Sequence, residues 1–194
     1  MDVPQILFVA LGVAVVIGVV MIGSQQRRRM RAEAGESFGE RTLVGMRVVS
    51  PTIRPDAEIP GRHARDGGDR SPSLSWDGVP EEAKELALIC DDPDAPTDRP
   101  FVHWVLFGLD PHLRRLSEAT EKGVEGVNDF GETGYGGPQP PVGHGRHHYH
   151  FRLYALDRQL DLKRGADRHT VEEAMRGHVI AAGQLVGTYE RQAS

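Results

Sequence analysis

The chain has 194 residues, 39% of them hydrophobic and 26% charged, which suits one domain of ordinary size plus an appendage. Its formal charge of −5 excludes a general nucleic-acid binder, which needs a basic excess. Thirteen prolines and 23 glycines favour a turn-rich fold over a helical bundle, and a single cysteine excludes an internal disulfide and a cysteine-based zinc site.

The first element is apolar throughout. From Ile6 to Gly23 the chain carries no charge, and 18 residues of helix span roughly 27 Å, close to the hydrocarbon thickness of a bilayer. A cleavable secretory signal would need a basic amino end, but Met1 to Gln5 has none. The positive charge follows the apolar stretch, at Arg27, Arg28, Arg29 and Arg31. This predicts an uncleaved single-pass anchor over residues 1–26, with its arginines beside lipid headgroups and the following domain in the cytoplasm. Residues 27–40 then read as a basic and polar linker, and residues 41–194 as the domain proper.

Within the domain, Leu43 to Val49 reads as a strand ended by Ser50-Pro51, and Ser73 to Trp76 as a short one closed by Asp77-Gly78. Pro80 to Lys84 suits one helical turn. Glu85 to Cys90 is a nearly continuous apolar run of strand length, predicted to be buried on both faces, with Cys90 as a small core residue. Phe101 to Phe107 is a further strand. The segment 131–145 holds six glycines and three prolines and must be an irregular loop. Alternation returns at His147 to Leu156, placing His147, Tyr149, Phe151 and Leu153 on one face. The one late helix is predicted from a Thr170 cap with Glu173 three residues on, running towards Gly183, before a last strand at Gln184 to Tyr189. Many strands and few helices, without a βαβ rhythm, point to an antiparallel architecture.

Two clusters carry chemistry. Asp91-Asp92-Pro93-Asp94-Ala95-Pro96 ends the buried strand, and His103-Trp104 lies on the next. Carboxylates on a proline-fixed turn orient a histidine or bind a cation, and they also bond the turn's own N–H groups. Gly134-Tyr135-Gly136-Gly137-Pro138-Gln139-Pro140-Pro141 leads into a stretch where four of the nine histidines fall between positions 144 and 150. Glycine-rich backbone approaches a ligand closely, and histidine and tyrosine add donors for an anion.

Together with Gly61 to Trp76, Phe151 to Asp157 and Gly177 to Tyr189, these motifs resemble the phosphatidylethanolamine-binding protein (PEBP) family, in its bacterial and archaeal branch called Raf kinase inhibitor-like. The resemblance covers roughly residues 43 to 191. It implies a mainly β fold, with a large antiparallel sheet packed on a smaller one and a late helix. It also implies a small pocket for phosphate or phosphorylated headgroups at one end of the large sheet, lined by Asp92, His103, His147 and Tyr149, with Gly137 and Pro138 shaping the wall.

Neither cofactor nor metal is implied. The expected partners are a small anionic or phosphorylated ligand, membrane lipid through the amino-terminal helix, and a protein kinase or protease, since family members are described as inhibitors of such enzymes. Two positions depart from the pattern: relatives often carry cysteine where this chain has Arg65 and Gln139. No nucleophile elbow or phosphate-binding P-loop occurs, so binding or regulation is expected over catalysis. The alternative is a phosphoester hydrolase using Asp92, His103 and His147 as acid/base groups or metal ligands.

Overall fold

The computed structural model describes residues 44–192. The expected anchor (1–26) and linker (27–40) lie outside the described residues. Among the described residues no helix is long and apolar enough to cross a membrane.

Among the described residues nine strands form two sheets. In chain order they are β1 (Val44–Gly45), β2 (Arg47–Val49), β3 (Leu74–Asp77), β4 (Glu85–Asp92), β5 (Phe101–Leu109), β6 (Arg115–Leu116), β7 (Val124–Glu125), β8 (His147–Leu156) and β9 (Val179–Tyr189). The larger sheet runs β1-β9-β8-β4-β5-β7 and the smaller runs β2-β3-β6. Every ladder is antiparallel except β1 on β9, which is parallel. The mainly β fold with one late helix, α1 (Arg168–Met175), follows the sequence-based expectation.

All eight residues of β4 are buried, because it lies centrally between β5 and β8 with both faces covered. One face packs into a core with Trp76, Leu86, Leu88, Trp104, Leu106, Tyr149 and Phe151. Side chains of this size each stabilise the fold by about 1.5–3 kcal/mol when fully buried. Cys90 sits in that core at 1% exposure, and burial raises its thiol pKa well above the ordinary value, so it is a packing residue.

Four local expectations are corrected. The strand expected at Leu43 to Val49 is two strands: Met46 separates β1 from β2, and its N–H donates to the Ala182 carbonyl at 2.8 Å as the chain changes sheets. Pro80 to Lys84 forms a turn, closed by Ala83 N–H to the Pro80 carbonyl at 3.2 Å, because Lys84 N–H already joins the ladder at Leu156. The helix begins earlier, with Asp167 as its cap: the Asp167 carboxylate accepts from Thr170 N–H at 2.8 Å. It stops at Met175 instead of running on towards Gly183, since Gly177 takes φ +76° and Val179 onward pairs with β8.

Candidate functional site

The site is built where β4, β5 and β8 end together. Cys90 pairs with Trp104 and Asp91 with Val102, leaving His103 between them without a cross-strand partner in β4. Such a bulge turns a side chain out of the ladder. His103 Nδ1 donates to the Gly136 carbonyl at 2.7 Å, and Gly136 N–H returns a bond to the His103 carbonyl at 2.8 Å. The ring lies among Phe101, Phe130 and Tyr149, with centroids 5.1, 5.5 and 5.0 Å away. The Arg65 guanidinium stacks 4.4 Å over the far side of this group, on Phe130.

Alternation along β8 brings His147 and Tyr149 to the same face. His147 Nδ1 donates to Asp92 Oδ2 at 2.7 Å, and the other Asp92 oxygen accepts from Asp94 N–H at 2.9 Å. The carboxylate therefore holds the imidazole in one orientation, as carboxylates behind functional histidines do. All four expected lining residues are buried: Asp92 and His103 at 3%, His147 and Tyr149 at 1%. The Tyr149 hydroxyl lies beside the Asp92 carboxylate and makes no hydrogen bond of normal geometry among the described residues. Burial, then the Asp92 charge, raises its pKa, so it remains a phenol. Burial likewise lowers the His103 pKa, against the opposing pull of the Gly136 carbonyl and Asp92.

The two residues expected to shape the wall, Gly137 and Pro138, tie the loop to the segment after the 3₁₀ turn Gly61–His63. Gly137 N–H donates to Asp69 at 2.6 Å, and the Pro138 carbonyl accepts from Arg65 N–H at 3.0 Å. A Cβ on Gly137 would collide with the His63 carbonyl and the Ala64 backbone. The Gln139 amide donates to Asp66 at 2.7 Å, so its polar end is occupied within the fold.

One residue that sequence reasoning missed stands over the site. His144 Nδ1 lies 2.8 Å from His147 Nε2, the nitrogen that Asp92 leaves free. His144 is exposed, on a turn closed by its N–H to the Pro141 carbonyl and followed by Gly145 at φ +85°. The histidine cluster was visible in the sequence, but no periodicity marks a loop contact of this kind. His148 faces outward instead, bonding Asp94 through N–H and Nδ1 at 2.8 and 2.7 Å. Although burial opposes ionisation of Asp94, those bonds hold its carboxyl below the ordinary range.

Elsewhere, a cleft of about 690 Å³ is lined by residues that include Arg99, Val102, Asn128, Asp129, Arg168 and Glu172. Its arginines are already paired, Arg99 with Asp129 at 2.9 Å and Arg168 with Glu172 and Asp91 at 2.7 Å. Among the described residues, no group of three or more His, Cys, Asp or Glu side chains is placed to hold a metal ion.

Comparison with known proteins agrees with this architecture. The phosphatidylethanolamine-binding protein profile matches residues 49–190. A UPF0098 protein of Methanothermobacter thermautotrophicus is 51% identical over 153 residues, covering 75% of this chain and 99% of that protein. Another, from Pyrococcus abyssi, is 44% identical, covering 74% of this chain and 85% of the relative. Among solved structures, a PEBP homologue of Chlamydia trachomatis superposes with TM-score 0.72 at 39% identity, over 76% of this chain and 98% of its own. YbcL of E. coli, described as a new member of the mammalian PEBP family, gives 0.71 at 30% identity, over 75% and 98%. On the profile, these relatives and the shared two-sheet fold, this chain belongs to the phosphatidylethanolamine-binding protein family.

Proposed function

We propose that the domain is a binding or regulatory module whose pocket, lined by Asp92, His103, His147 and Tyr149, takes a small oxyanion such as phosphate or a phosphorylated group. The observation that carries this reading is the Tyr149 hydroxyl, a donor at 1% exposure that makes no hydrogen bond of normal geometry to the protein, beside a histidine oriented by a buried carboxylate. Leaving such a donor unsatisfied costs about 1–3 kcal/mol, which a ligand oxygen recovers.

The histidine contributes through its proton. With Nδ1 donating to Asp92, a neutral His147 offers a lone pair at Nε2, which suits the His144 N–H and repels an anion. To hold an anion, Nε2 must gain a proton, and the imidazolium is then flanked by Asp92 and an anionic oxygen. Asp94, His144 and His148 are the other titratable groups beside it. Binding is therefore coupled to uptake of a proton at Nε2. His144 competes with the ligand for the same nitrogen.

Titration calorimetry with phosphate from about pH 8 to about pH 5.5 tests this. Affinity rises as pH falls in the wild type and is lost in His147→Gln; a flat profile contradicts the reading. The Asp92–His147 pair is also how a catalytic base is built. Hydrolysis of phenyl phosphate in the same samples, abolished by His147→Ala, would replace binding with turnover.

The apolar stretch Ile6 to Gly23 and the arginines after it would hold this pocket at a membrane surface, within reach of lipid phosphates and membrane-bound kinases or proteases. Retention of the full chain in the membrane pellet after alkaline carbonate washing is the expected result; release into the supernatant contradicts it.

A further inference from the structure

We propose that Asn128 is a positioning residue of the candidate site: its side chain ties residues 128–136 into the unit that fixes His103. Its binding test rests on the anion-pocket reading above, and its spectroscopic test stands without it. The observation behind it is a buried amide whose hydrogen bonds close on the loop that brackets His103.

His103 needs support from outside the ladder. At the bulge Cys90 pairs with Trp104 and Asp91 with Val102, so β4 offers His103 no partner. Residues 128–136 supply what the ladder omits. Asp129 N–H donates to the Val102 carbonyl at 2.9 Å, and the Asp129 carboxylate accepts from Val102 N–H at 2.8 Å. Gly136 N–H donates to the His103 carbonyl at 2.8 Å, and the Gly136 carbonyl accepts from His103 Nδ1 at 2.7 Å. Between them, Phe130 packs edge-on against the imidazole, with ring centroids 5.5 Å apart. One loop therefore holds His103 and the residue before it at three points.

That loop keeps its shape through Asn128, which is 4% exposed. Its Oδ1 accepts from Phe130 N–H at 3.0 Å and from Glu132 N–H at 3.1 Å, while Nδ2 donates to the Gly134 carbonyl at 3.0 Å. These partners fix the amide's orientation, because two N–H groups need an oxygen and a carbonyl needs the amino group. The main chain of Asn128 joins in: its N–H donates to the Glu132 carbonyl at 2.8 Å, and its carbonyl accepts from Gly131 N–H at 3.0 Å. Gly136 packs so closely that an added Cβ would stand 2.6 Å from the Phe130 ring and 3.2 Å from the Asn128 amide nitrogen. Asn128 thus sets the spacing of Phe130 and Gly136, the two points that touch the His103 side chain. Its aspartate isostere keeps an acceptor for the two N–H groups but turns a carboxylate oxygen on the Gly134 carbonyl. The knot then opens at one defined bond.

The test uses the full chain with Asn128→Asp and, should that variant not fold, Asn128→Ser, whose short side chain still accepts from the turn but cannot reach Gly134. Met175→Ala is the control, since it removes buried packing at the end of α1 remote from Arg168 and Asp91. NMR of nitrogen-15 histidine-labelled protein reads the His103 Nδ1–H, identified by its loss in His103→Gln. In the wild type this proton is protected from exchange with water. The expected result in the Asn128 variants is exchange faster by about tenfold or more, with phosphate binding weaker by about tenfold in calorimetry. Met175→Ala lowers the denaturation midpoint and leaves both readings at their wild-type values. A folded Asn128 variant with wild-type exchange and wild-type phosphate affinity overturns the positioning role and leaves the anion pocket standing. Equal losses in Met175→Ala mark general destabilisation and overturn it as well. If the wild type binds no phosphate, the anion-pocket reading falls and the His103 proton alone decides: faster exchange in the Asn128 variants upholds the positioning role, and unchanged exchange overturns it.

Discussion

Asp91 and Asp92 are consecutive, both buried, and serve opposite faces of the large sheet. Asp91 reaches the helix side, where it binds Arg152 and, at 2.7 Å, Arg168 of α1. Asp92 reaches the other side and holds His147 at 2.7 Å. The strand's two-residue period thus turns one acidic pair into a structural anchor and a support for the candidate site. Their mutants should separate accordingly. Asp91→Ala leaves Arg152 without this carboxylate and Arg168 of the helix with Glu172 alone, and should cost about 3–5 kcal/mol in urea denaturation. Asp92→Ala leaves His147 Nδ1 and Asp94 N–H without an acceptor and should cost about 1–3 kcal/mol while abolishing phosphate binding. Equal stability loss in both would argue against this division.

Removing His144 should improve binding. In the free protein its ring satisfies His147 Nε2 at 2.8 Å, a part-buried bond worth about 0.5–1.5 kcal/mol. His144→Ala should therefore tighten phosphate binding about two- to tenfold by calorimetry. Weaker binding would instead make His144 a clamp on the bound anion.

Folding stability should fall on mild acidification. His63, His103 and His150 are buried, and burial lowers the pKa of each below the ordinary 6.5. The unfolded chain then binds more protons than the folded one below that value, so stability is complete above about pH 6.5 and declines as pH drops towards the folded-state values. Denaturation midpoints at about pH 7.5, 6.5 and 5.5 read this directly, and a midpoint that rises towards pH 5.5 would contradict it.

The loop at Gly137, beside the candidate site, is set by backbone contact. Gly137→Ala drives a methyl into the His63 carbonyl and the Ala64 backbone, and should cost about 2–3 kcal/mol. Gly61→Ala, which has open space around the new methyl, should change stability by less than about 0.5 kcal/mol. Similar effects from the two would mean that the close approach at Gly137 has relaxed.

The parts of this molecule legible in the sequence are those written in a period. The unbroken apolar run of β4 announced burial on both faces, and alternation at His147 and Tyr149 put them together. The convergence of Asp92 and His103 upon them was not periodic and came from the family resemblance. Elements fixed by distant pairing were misread. Val179 to Ala182 is apolar and passes for helix, yet β8 claims it as strand. Met46 marks a change of sheet that only the Ala182 carbonyl explains. Asp167 and Thr170 are both good caps, and which one opens α1 depends on where Arg168 must sit to reach Asp91. His144 was passed over because a turn places it, and the bulge at His103 because β4 skips one partner.

The central claim is that an oxyanion takes the His147 nitrogen now facing His144 and brings a proton with it. Nitrogen-15 NMR of histidine-labelled full chain at about pH 7, with and without saturating phosphate, measures this most directly. The account predicts that phosphate converts His147 from one protonated nitrogen to two. A His147 spectrum that phosphate leaves untouched would contradict it.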